Sequence, residues 1–232
     1  SFVQQIENVS FRDAVTRLGS TASSQAVTVR KCRWACRPAS RAAPDAQSSA
    51  VLSAAVDLYR NRLLHDSVPL AYLAGRGFER DVVEQARLGY AVGNELVPYL
   101  NWRGLSIGAA RKVGLLDVDN QERFAGRIVF TEYRSAEPVW MVGRTFATDV
   151  EPRYLGLPGA KPLLGWDDAI VDRRGVCLVE GPLDLLALRK WGVTAMGLCG
   201  TYVSEASLNE LAGWKRLYVA LDADDAGKEA TD

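Results

Sequence analysis

The chain contains 232 residues, of which 48% are hydrophobic and 24% are charged, and its 28 basic residues balance its 28 acidic residues. These values are typical of a globular protein with a hydrophobic core, and they exclude a uniformly basic nucleic-acid-binding coat or an acidic disordered tail. No apolar run approaches the ~18 residues that a membrane span requires, so we expect no membrane partner.

Two short amphipathic helices are predicted over residues 1–19, because apolar residues such as Phe2 and Phe11 recur there at helical spacing. Residues 20–49 contain few large apolar groups, and residues 21–49 contain five basic residues against one acidic residue. This composition predicts a basic linker between the amino-terminal helices and the rest of the chain.

Residues 50–170 are predicted to form a small mixed α+β subdomain. Helical spacing of apolar residues begins at Leu52, and two strand-like runs follow at residues 127–130 and 139–143. Residues 149–168 are punctuated by proline and glycine, which predicts a loop-rich segment at the end of this subdomain.

Residues 171–232 show the alternation of strand and helix that is typical of a parallel sheet. Residues 176–179 and 217–221 are continuous apolar runs, which predict strands that are buried on both faces. The elements between these two strands are a helix, a short strand and a second helix, at residues 183–191, 193–196 and 204–211. The predicted fold class is therefore α/β, with a parallel sheet flanked by helices and preceded by the α+β subdomain and an amino-terminal helical remnant.

Cysteine and histidine are scarce in this sequence. Its four cysteines are too few for a disulfide framework, and the amino terminus lacks the features of a secretory signal, so we expect a cytoplasmic protein. The single histidine, His65, excludes a zinc site built on several histidines, and we expect it to lie at a helix end. Trp102 is expected to pack in the core or at an interface, although it lies beside Arg103, where base stacking is the alternative.

Carboxylates follow both of the long apolar runs. Glu180 comes directly after the first strand and Asp184 lies in the first turn of the next helix, whereas a second pair, Asp222 and Asp224, follows the second strand. Because ligands bind at the carboxyl ends of parallel strands, we expect these side chains to converge if the strands are neighbours. Clustered carboxylates repel one another unless they bind protons or cations, and oxygen ligands suit Mg²⁺ or Mn²⁺. The sequence therefore predicts a metal site for phosphoryl transfer, although helix capping explains either motif alone.

The two acidic motifs and several upstream segments occur in a characteristic order. Residues 180–184 are similar to the Glu-Gly-x-x-Asp motif of TOPRIM domains, and residues 222–227 are similar to their Asp-x-Asp motif in its primase form. Other similar segments lie at residues 72–78, 88–91, 126–130, 143–144, 153–158 and 197–201. Together these segments resemble the RNA-polymerase core of bacterial DnaG-type primases, and residues 2–18 resemble the helices that close the zinc-ribbon module of that family. The resemblance implies a TOPRIM-type sheet in residues 171–232.

This resemblance implies roles for individual residues. Glu180 would be the catalytic carboxylate. Asp222 and Asp224 would be catalytic residues that bind the metal together with Glu180, and Asp184 would support them as a further ligand. The basic track for the template strand or the nucleotide phosphates would consist of Arg76, Arg127, Arg144 and Arg153, with Lys161 as an approximate substitute for the family's lysine. Guanidinium groups suit this role because they make bidentate contacts with phosphate.

The chain departs from the primase pattern at both ends. The ligands of the zinc ribbon are absent, and Cys32 and Cys36 lie in the predicted linker without a second pair of ligands. We therefore expect zinc only in a module outside this chain. The sequence stops at Asp232, soon after the second acidic motif, whereas TOPRIM folds usually continue beyond this point, so residues 171–232 are expected to be a truncated TOPRIM subdomain.

The function implied by the resemblance is that of a DNA primase catalytic core, which makes short RNA primers on single-stranded DNA by metal-dependent nucleotidyl transfer. Its partners would be the DNA template and ribonucleoside triphosphates, with a replicative helicase binding through regions outside this chain. Two alternatives remain open. A TOPRIM nuclease or topoisomerase-like fragment would share both acidic motifs, and a non-catalytic single-stranded-DNA-binding module would use the linker and the arginines alone.

Overall fold

The computed structural model describes residues 44–171, 175–200 and 204–221. The predicted helices of residues 1–19, most of the predicted linker and the second acidic motif, with Asp222 and Asp224, lie outside these described residues. The described helices are α1 (Ala46–His65), α2 (Ser67–Ala74), α3 (Arg80–Gln85), α4 (Leu96–Trp102), α5 (Ile107–Val113), α6 (Trp166–Ala169), α7 (Pro182–Lys190) and α8 (Glu205–Leu211). The described strands are β1 (Gly89–Ala91), β2 (Arg127–Arg134), β3 (Glu137–Thr145), β4 (Tyr154–Gly156), β5 (Val176–Val179), β6 (Ala195–Gly197) and β7 (Leu217–Ala220).

The long helix α1 begins inside the range predicted as linker. Asp45 explains this start, because its side-chain oxygen accepts a hydrogen bond from the backbone N–H of Ser48 at 2.8 Å and so caps the helix. One stripe of α1 is buried, with Leu52, Tyr59 and Leu63 each at most 2% exposed. This apolar stripe packs against the sheet formed by β1 to β4. Packing of this kind supplies most of the stability of a helix in a globular protein.

Strands β1 to β4 form an antiparallel sheet in the order β1-β2-β3-β4. The β2–β3 hairpin pairs Phe130 with Val142, and a β-bulge between Glu132 and Tyr133 shifts the register near its end. Both strand-like runs predicted upstream are therefore strands of one hairpin. The first half of β2 is buried on both faces, and Ile128, Val129 and Phe130 all belong to the main hydrophobic core of the molecule.

Strands β5, β6 and β7 form a parallel sheet in the order β6-β5-β7. Val179 at the end of β5 pairs with Gly197 of β6 on one side and with Ala220 of β7 on the other. Successive β5 residues point to opposite faces, so Val179 packs into the main core and Leu178 packs with Met196 in a second core. The predicted parallel sheet and its crossover helices are confirmed.

Strand β7 differs from the sequence-based expectation. Its continuous apolar run predicts burial on both faces, but Tyr218 is 55% exposed and Val219 is 46% exposed. In the described part of the chain β7 is an edge strand that pairs with β5 alone. The prediction of burial is therefore wrong for β7, whereas Leu178 and Val179 of the central strand β5 are buried as expected.

The main hydrophobic core extends across both sheets. Phe130 of the antiparallel sheet belongs to the same buried cluster as Leu185 of helix α7, which crosses between strands of the parallel sheet. The predicted boundary at residue 170 thus separates the two sheets, but the main core extends across it. The observed architecture is the predicted one, a mixed α+β region followed by a parallel sheet flanked by helices. None of the helices in the described residues is long and apolar enough to cross a membrane.

The sequence-based predictions for His65 and Trp102 had different outcomes. His65 lies at the carboxyl end of α1 with its Nδ1 2.8 Å from the carbonyl oxygen of Asn61, so its prediction as an exposed helix-end residue is confirmed. Trp102 does not pack in the core, because it is 76% exposed, and its expected packing at an interface stays a prediction. The Trp102 ring packs at a tilt against the ring of Tyr99, one helical turn earlier, with ring centroids 5.8 Å apart.

Candidate active site

The candidate site lies at the carboxyl ends of the parallel strands. Val179 and Ala220 are register partners in neighbouring parallel strands, so Glu180 and Leu221 leave the sheet side by side. Leu221 is the last described residue there, and Asp222 follows it in the sequence. This topology satisfies the condition on which the predicted convergence of the two acidic motifs depends, namely that their strands are neighbours.

Glu180 occupies the turn between β5 and α7. Its carbonyl oxygen accepts a hydrogen bond from the N–H of Gly200 at 3.2 Å, and the N–H of Leu198 donates to Val179 at 2.9 Å. The segment that follows β6 therefore runs beside Glu180 and fixes its backbone. The side chain of Glu180 is half-buried.

Asp184 caps the amino terminus of α7. Its Oδ2 accepts a hydrogen bond from the N–H of Gly181 at 3.1 Å, and Pro182 occupies the first helical turn, where its missing N–H costs nothing. The helix dipole favours a carboxylate at this end. The capping interpretation of Asp184 is thus confirmed. Asp184 is also exposed at the same edge of the sheet as Glu180, so capping is compatible with its predicted role in supporting a metal ion.

The metal site stays a prediction. Among the described residues, no three histidine, cysteine, aspartate or glutamate side chains are close enough to hold an ion. The described edge supplies Glu180 and Asp184, and the other two predicted ligands lie beyond the described residues. Carboxylate oxygens at an open strand edge fit Mg²⁺ or Mn²⁺ in ligand chemistry, because both ions prefer oxygen ligands and retain bound water.

The predicted arginines divide into two exposed and two buried residues. Arg76 and Arg153 are exposed, as a surface that contacts phosphate requires. Arg127 and Arg144 are each only 5% exposed, which differs from the expected open basic track. Arg127 donates to the carbonyl oxygen of Arg153 at 3.1 Å, and burial lowers the pKa of Arg127. Its described contact therefore supports the backbone that presents Arg153.

Arg144 lies between two tyrosines. Its Nε donates to the hydroxyl of Tyr154 at 3.0 Å and its Nη1 donates to the hydroxyl of Tyr72. The guanidinium carbon lies 5.3 Å from the centroid of the Tyr72 ring and 5.6 Å from that of Tyr154, which adds cation–π attraction on both sides. Arg76 lies over the same Tyr72 ring at 5.1 Å.

Lys161 is placed at the same edge as Glu180. Its Nζ donates to the carbonyl oxygen of Cys199 at 2.9 Å, and the next residue, Gly200, is the one that bonds to Glu180. A Cβ added to Gly200 would lie 3.1 Å from that Nζ, so glycine leaves the space that the lysine uses. The Lys161 ammonium group thus lies along the segment that follows β6, and this segment runs beside the turn that carries Glu180.

The two described cysteines are packing residues. Burial raises the pKa of Cys177 to about 11 and that of Cys199 to about 12, so both thiols are protonated at neutral pH and are poor nucleophiles. Both are free, and both pack against the main hydrophobic core.

Sequence reasoning missed the two tyrosines that hold Arg144. Tyr72 and Tyr154 each lie in a segment that resembles the primase pattern, but neither was assigned a role, because a phenol several segments away gives no local signal of its partner. The only available signal was that arginine and aromatic residues recur together in these segments, at residues 72–76, 144–146 and 153–154.

Comparison with known proteins agrees with these features. Residues 177–232 match the family described as Toprim-like. The DNA primases of Deinococcus radiodurans and Staphylococcus epidermidis are each 28% identical to this chain over 99% of its length and 42% of their own. The chain thus spans less than half the length of the curated relatives it matches.

Solved structures give the same result for the fold. The zinc-binding and RNA polymerase domains of Aquifex aeolicus primase match with a TM-score of 0.73 and 25% identity, over 99% of this chain and 58% of theirs. The RNA polymerase domain of Mycobacterium tuberculosis primase DnaG matches with a TM-score of 0.72 and 26% identity, over 80% of this chain and 69% of its own. The resemblance to the TOPRIM catalytic core of DnaG-type primases is therefore confirmed.

Proposed function

We propose that this relative of the bacterial DnaG-type catalytic core is itself a DNA primase core, which synthesises short RNA primers on single-stranded DNA by metal-dependent nucleotidyl transfer. The observation that carries the proposal is the pairing of β5 with β7, because it brings Glu180 and the chain that leads to Asp222 to one edge of the sheet. Curated relatives that match 99% of the chain are DNA primases.

The carboxylates would carry the chemistry of nucleotidyl transfer. Glu180, Asp222 and Asp224 would hold Mg²⁺ or Mn²⁺, with Asp184 in support, and the bound ion would supply the positive charge that stabilises the transferring phosphate and its leaving group. Glu180 lies in a turn whose backbone is fixed by Gly200, so its carboxylate would be held ready to assist the attacking hydroxyl.

The cations would bind the template strand and the phosphates of the nucleotide. Arg76 and Arg153 are exposed and would make direct contacts, whereas the buried Arg127 and Arg144 would support them from within the fold. Lys161 borders the carboxylate edge and would contact the nucleotide phosphates. The Mycobacterium tuberculosis domain, solved with a double-stranded DNA oligomer that has a six-nucleotide overhang, is 26% identical to this chain, which supports a DNA partner.

The remaining partners follow from the same function. Ribonucleoside triphosphates would be the substrates, and a replicative helicase would bind through regions outside this chain. A protein with this role would act in the cytoplasm, where the chromosome is replicated.

Primer synthesis tests the proposal. The protein is incubated with a single-stranded template, labelled ribonucleotides and Mn²⁺, and we expect template-dependent oligoribonucleotides that Glu180→Gln and Asp222→Asn each abolish. Glu137→Gln is the matched control, because Glu137 is an exposed carboxylate at the start of β3. Metal-dependent strand cleavage would contradict the proposal in favour of a TOPRIM nuclease. Salt-sensitive DNA binding without synthesis, unaffected by either substitution, would favour a passive binding module.

A further inference from the structure

Arg144 is a buried cation whose partners in the described residues are all neutral. It is 5% exposed, and its hydrogen bonds go to the hydroxyls of Tyr154 and Tyr72 and to the carbonyl oxygen of Thr145 at 3.4 Å. A buried charge is costly unless its environment compensates it. The presence of a guanidinium at this buried position therefore indicates a role other than packing.

The first tyrosine is fixed by its own neighbours. The Tyr72 ring stacks on Phe146 with centroids 5.3 Å apart and an interplanar angle of 28°. Phe146 follows directly after β3, the strand that carries Arg144, so Tyr72 connects helix α2 to the antiparallel sheet. The hydroxyl of Tyr72 then sets the position of the Arg144 guanidinium.

The second tyrosine reaches the carboxylate edge. A Cβ placed on Gly181 would lie 3.5 Å from the hydroxyl of Tyr154, so this hydroxyl lies beside the turn between Glu180 and Asp184. Arg144 thus connects a fixed ring on α2 to the turn that carries the proposed metal ligands.

We propose that Tyr72, Arg144 and Tyr154, called here the Arg144 bridge, position the turn between Glu180 and Asp184 for metal binding. In this arrangement Tyr72 is a positioning residue that acts through Arg144 and Tyr154, and it contacts neither metal nor substrate. The hydroxyl of Tyr154 restrains the turn, and the buried charge of Arg144 favours negative oxygens beside it. The proposal rests on the proposed metal-dependent function.

Direct Mn²⁺ binding tests the Arg144 bridge without relying on catalysis. Free Mn²⁺ is measured by electron paramagnetic resonance during titration of the protein, Tyr154→Phe and Tyr72→Phe. Loss of an outer hydrogen bond typically weakens metal binding about 10-fold or more, so we expect about 10-fold for Tyr154→Phe and about 3-fold for Tyr72→Phe, which lies one contact further away. The metal concentration for half-maximal primer synthesis should rise by the same factors.

Tyr90→Phe is the matched control. Tyr90 packs on the same Phe146 ring, with centroids 6.0 Å apart, but it makes no hydrogen bond to Arg144 in the part of the chain that the structure describes. It should therefore bind Mn²⁺ with unchanged affinity. Wild-type affinity in both Tyr72→Phe and Tyr154→Phe would overturn the proposal, and so would an equal loss in Tyr90→Phe. Mn²⁺ affinity that depends on the bridge in a protein that makes no primers would support the bridge and contradict the proposed function instead.

Discussion

The two sheets contribute opposite charges to the proposed site. The antiparallel sheet holds Arg127 and Arg144 in its interior, with Arg153 directly before β4. The parallel sheet ends in Glu180, followed by Asp184 at the start of α7. The formal net charge is zero, but the positive and negative charges are separated locally. The cations lie within one sheet, and the carboxylates lie at the edge of the other.

Arg127 and Arg144 of the antiparallel sheet are more buried than the carboxylates of the parallel sheet. This difference in burial indicates which side chains can be removed without destabilising the fold. The buried arginines have internal acceptors for their hydrogen bonds, so they belong to the structure as well as to the site. Glu180 lies at the end of a strand, where its loss should affect chemistry more than stability, whereas Asp184 also caps α7. Each of the following experiments separates these two behaviours.

Removal of the Glu180 charge should give the largest effect. We expect Glu180→Gln to lower the rate of primer synthesis by about 1,000-fold, because in the proposed mechanism the carboxylate both binds the ion and assists proton transfer. Affinity for single-stranded DNA, measured by fluorescence anisotropy, should stay within about twofold because the arginines are intact. Equal losses of rate and DNA affinity would contradict the division of roles between the sheets.

Removal of a buried guanidinium should be costly for stability. We expect Arg144→Ala to lower the free energy of unfolding by about 3 kcal/mol, because two phenol hydroxyls lose their donor and a void is left. The exposed Arg153 is the matched control, and Arg153→Ala should change the same quantity by less than about 0.5 kcal/mol. Urea unfolding of both variants measures the difference, and similar stabilities would show that burial does not distinguish the two arginines.

Glu132 is an acid buried within the cation-bearing sheet, and it should make stability depend on pH. Burial raises its pKa from 4.5 to about 8, although Arg134, Arg189 and the backbone N–H groups of Gly165 and Trp166 act in the opposite direction. The folded protein therefore holds a proton that the unfolded chain releases between these two pH values. Stability should consequently fall as pH rises through this window, by on the order of 1 kcal/mol per pH unit.

Glu132→Gln tests this dependence because glutamine carries no charge at any pH. Urea unfolding from about pH 5 to about pH 8 should give a flatter stability profile for the variant than for the parent protein. Parallel profiles would show that Glu132 does not bind a proton in this range, and that its carboxylate is compensated by its neighbours.

Removal of an exposed guanidinium should give the smallest effect. We expect Arg76→Ala to weaken single-stranded DNA binding by less than about 10-fold and to reduce the slope of log affinity against log salt by about 0.7, which corresponds to one phosphate contact. The control is Arg80→Ala, since Arg80 is paired with Glu84 on the exposed helix α3. An unchanged slope for Arg76→Ala would remove Arg76 from the DNA-binding surface.

The sequence predicted the parts of the site that depend on local pattern. The apolar run before Glu180 and the acidic residues after it identified a strand end, and a parallel sheet followed from the alternation of elements. The sequence left open whether β5 and β7 are neighbours, and the structure shows that they are. Burial was harder to predict, because it depends on distant neighbours. Val219 lies in an apolar run like that of β5 but is exposed on an edge strand. Arg144 is charged but buried, because it donates hydrogen bonds to Tyr72 and Tyr154, which lie in other segments of the chain.

The central claim is that the two acidic motifs bind one divalent ion. Mn²⁺ titration of Glu180→Gln, Asp222→Asn and the double variant tests this claim most directly. If both carboxylates bind the same ion, each single substitution weakens binding and the double variant is much less impaired than the product of the two effects, because residues of one site are strongly coupled. Losses that multiply independently, or wild-type affinity in either single variant, would contradict the claim.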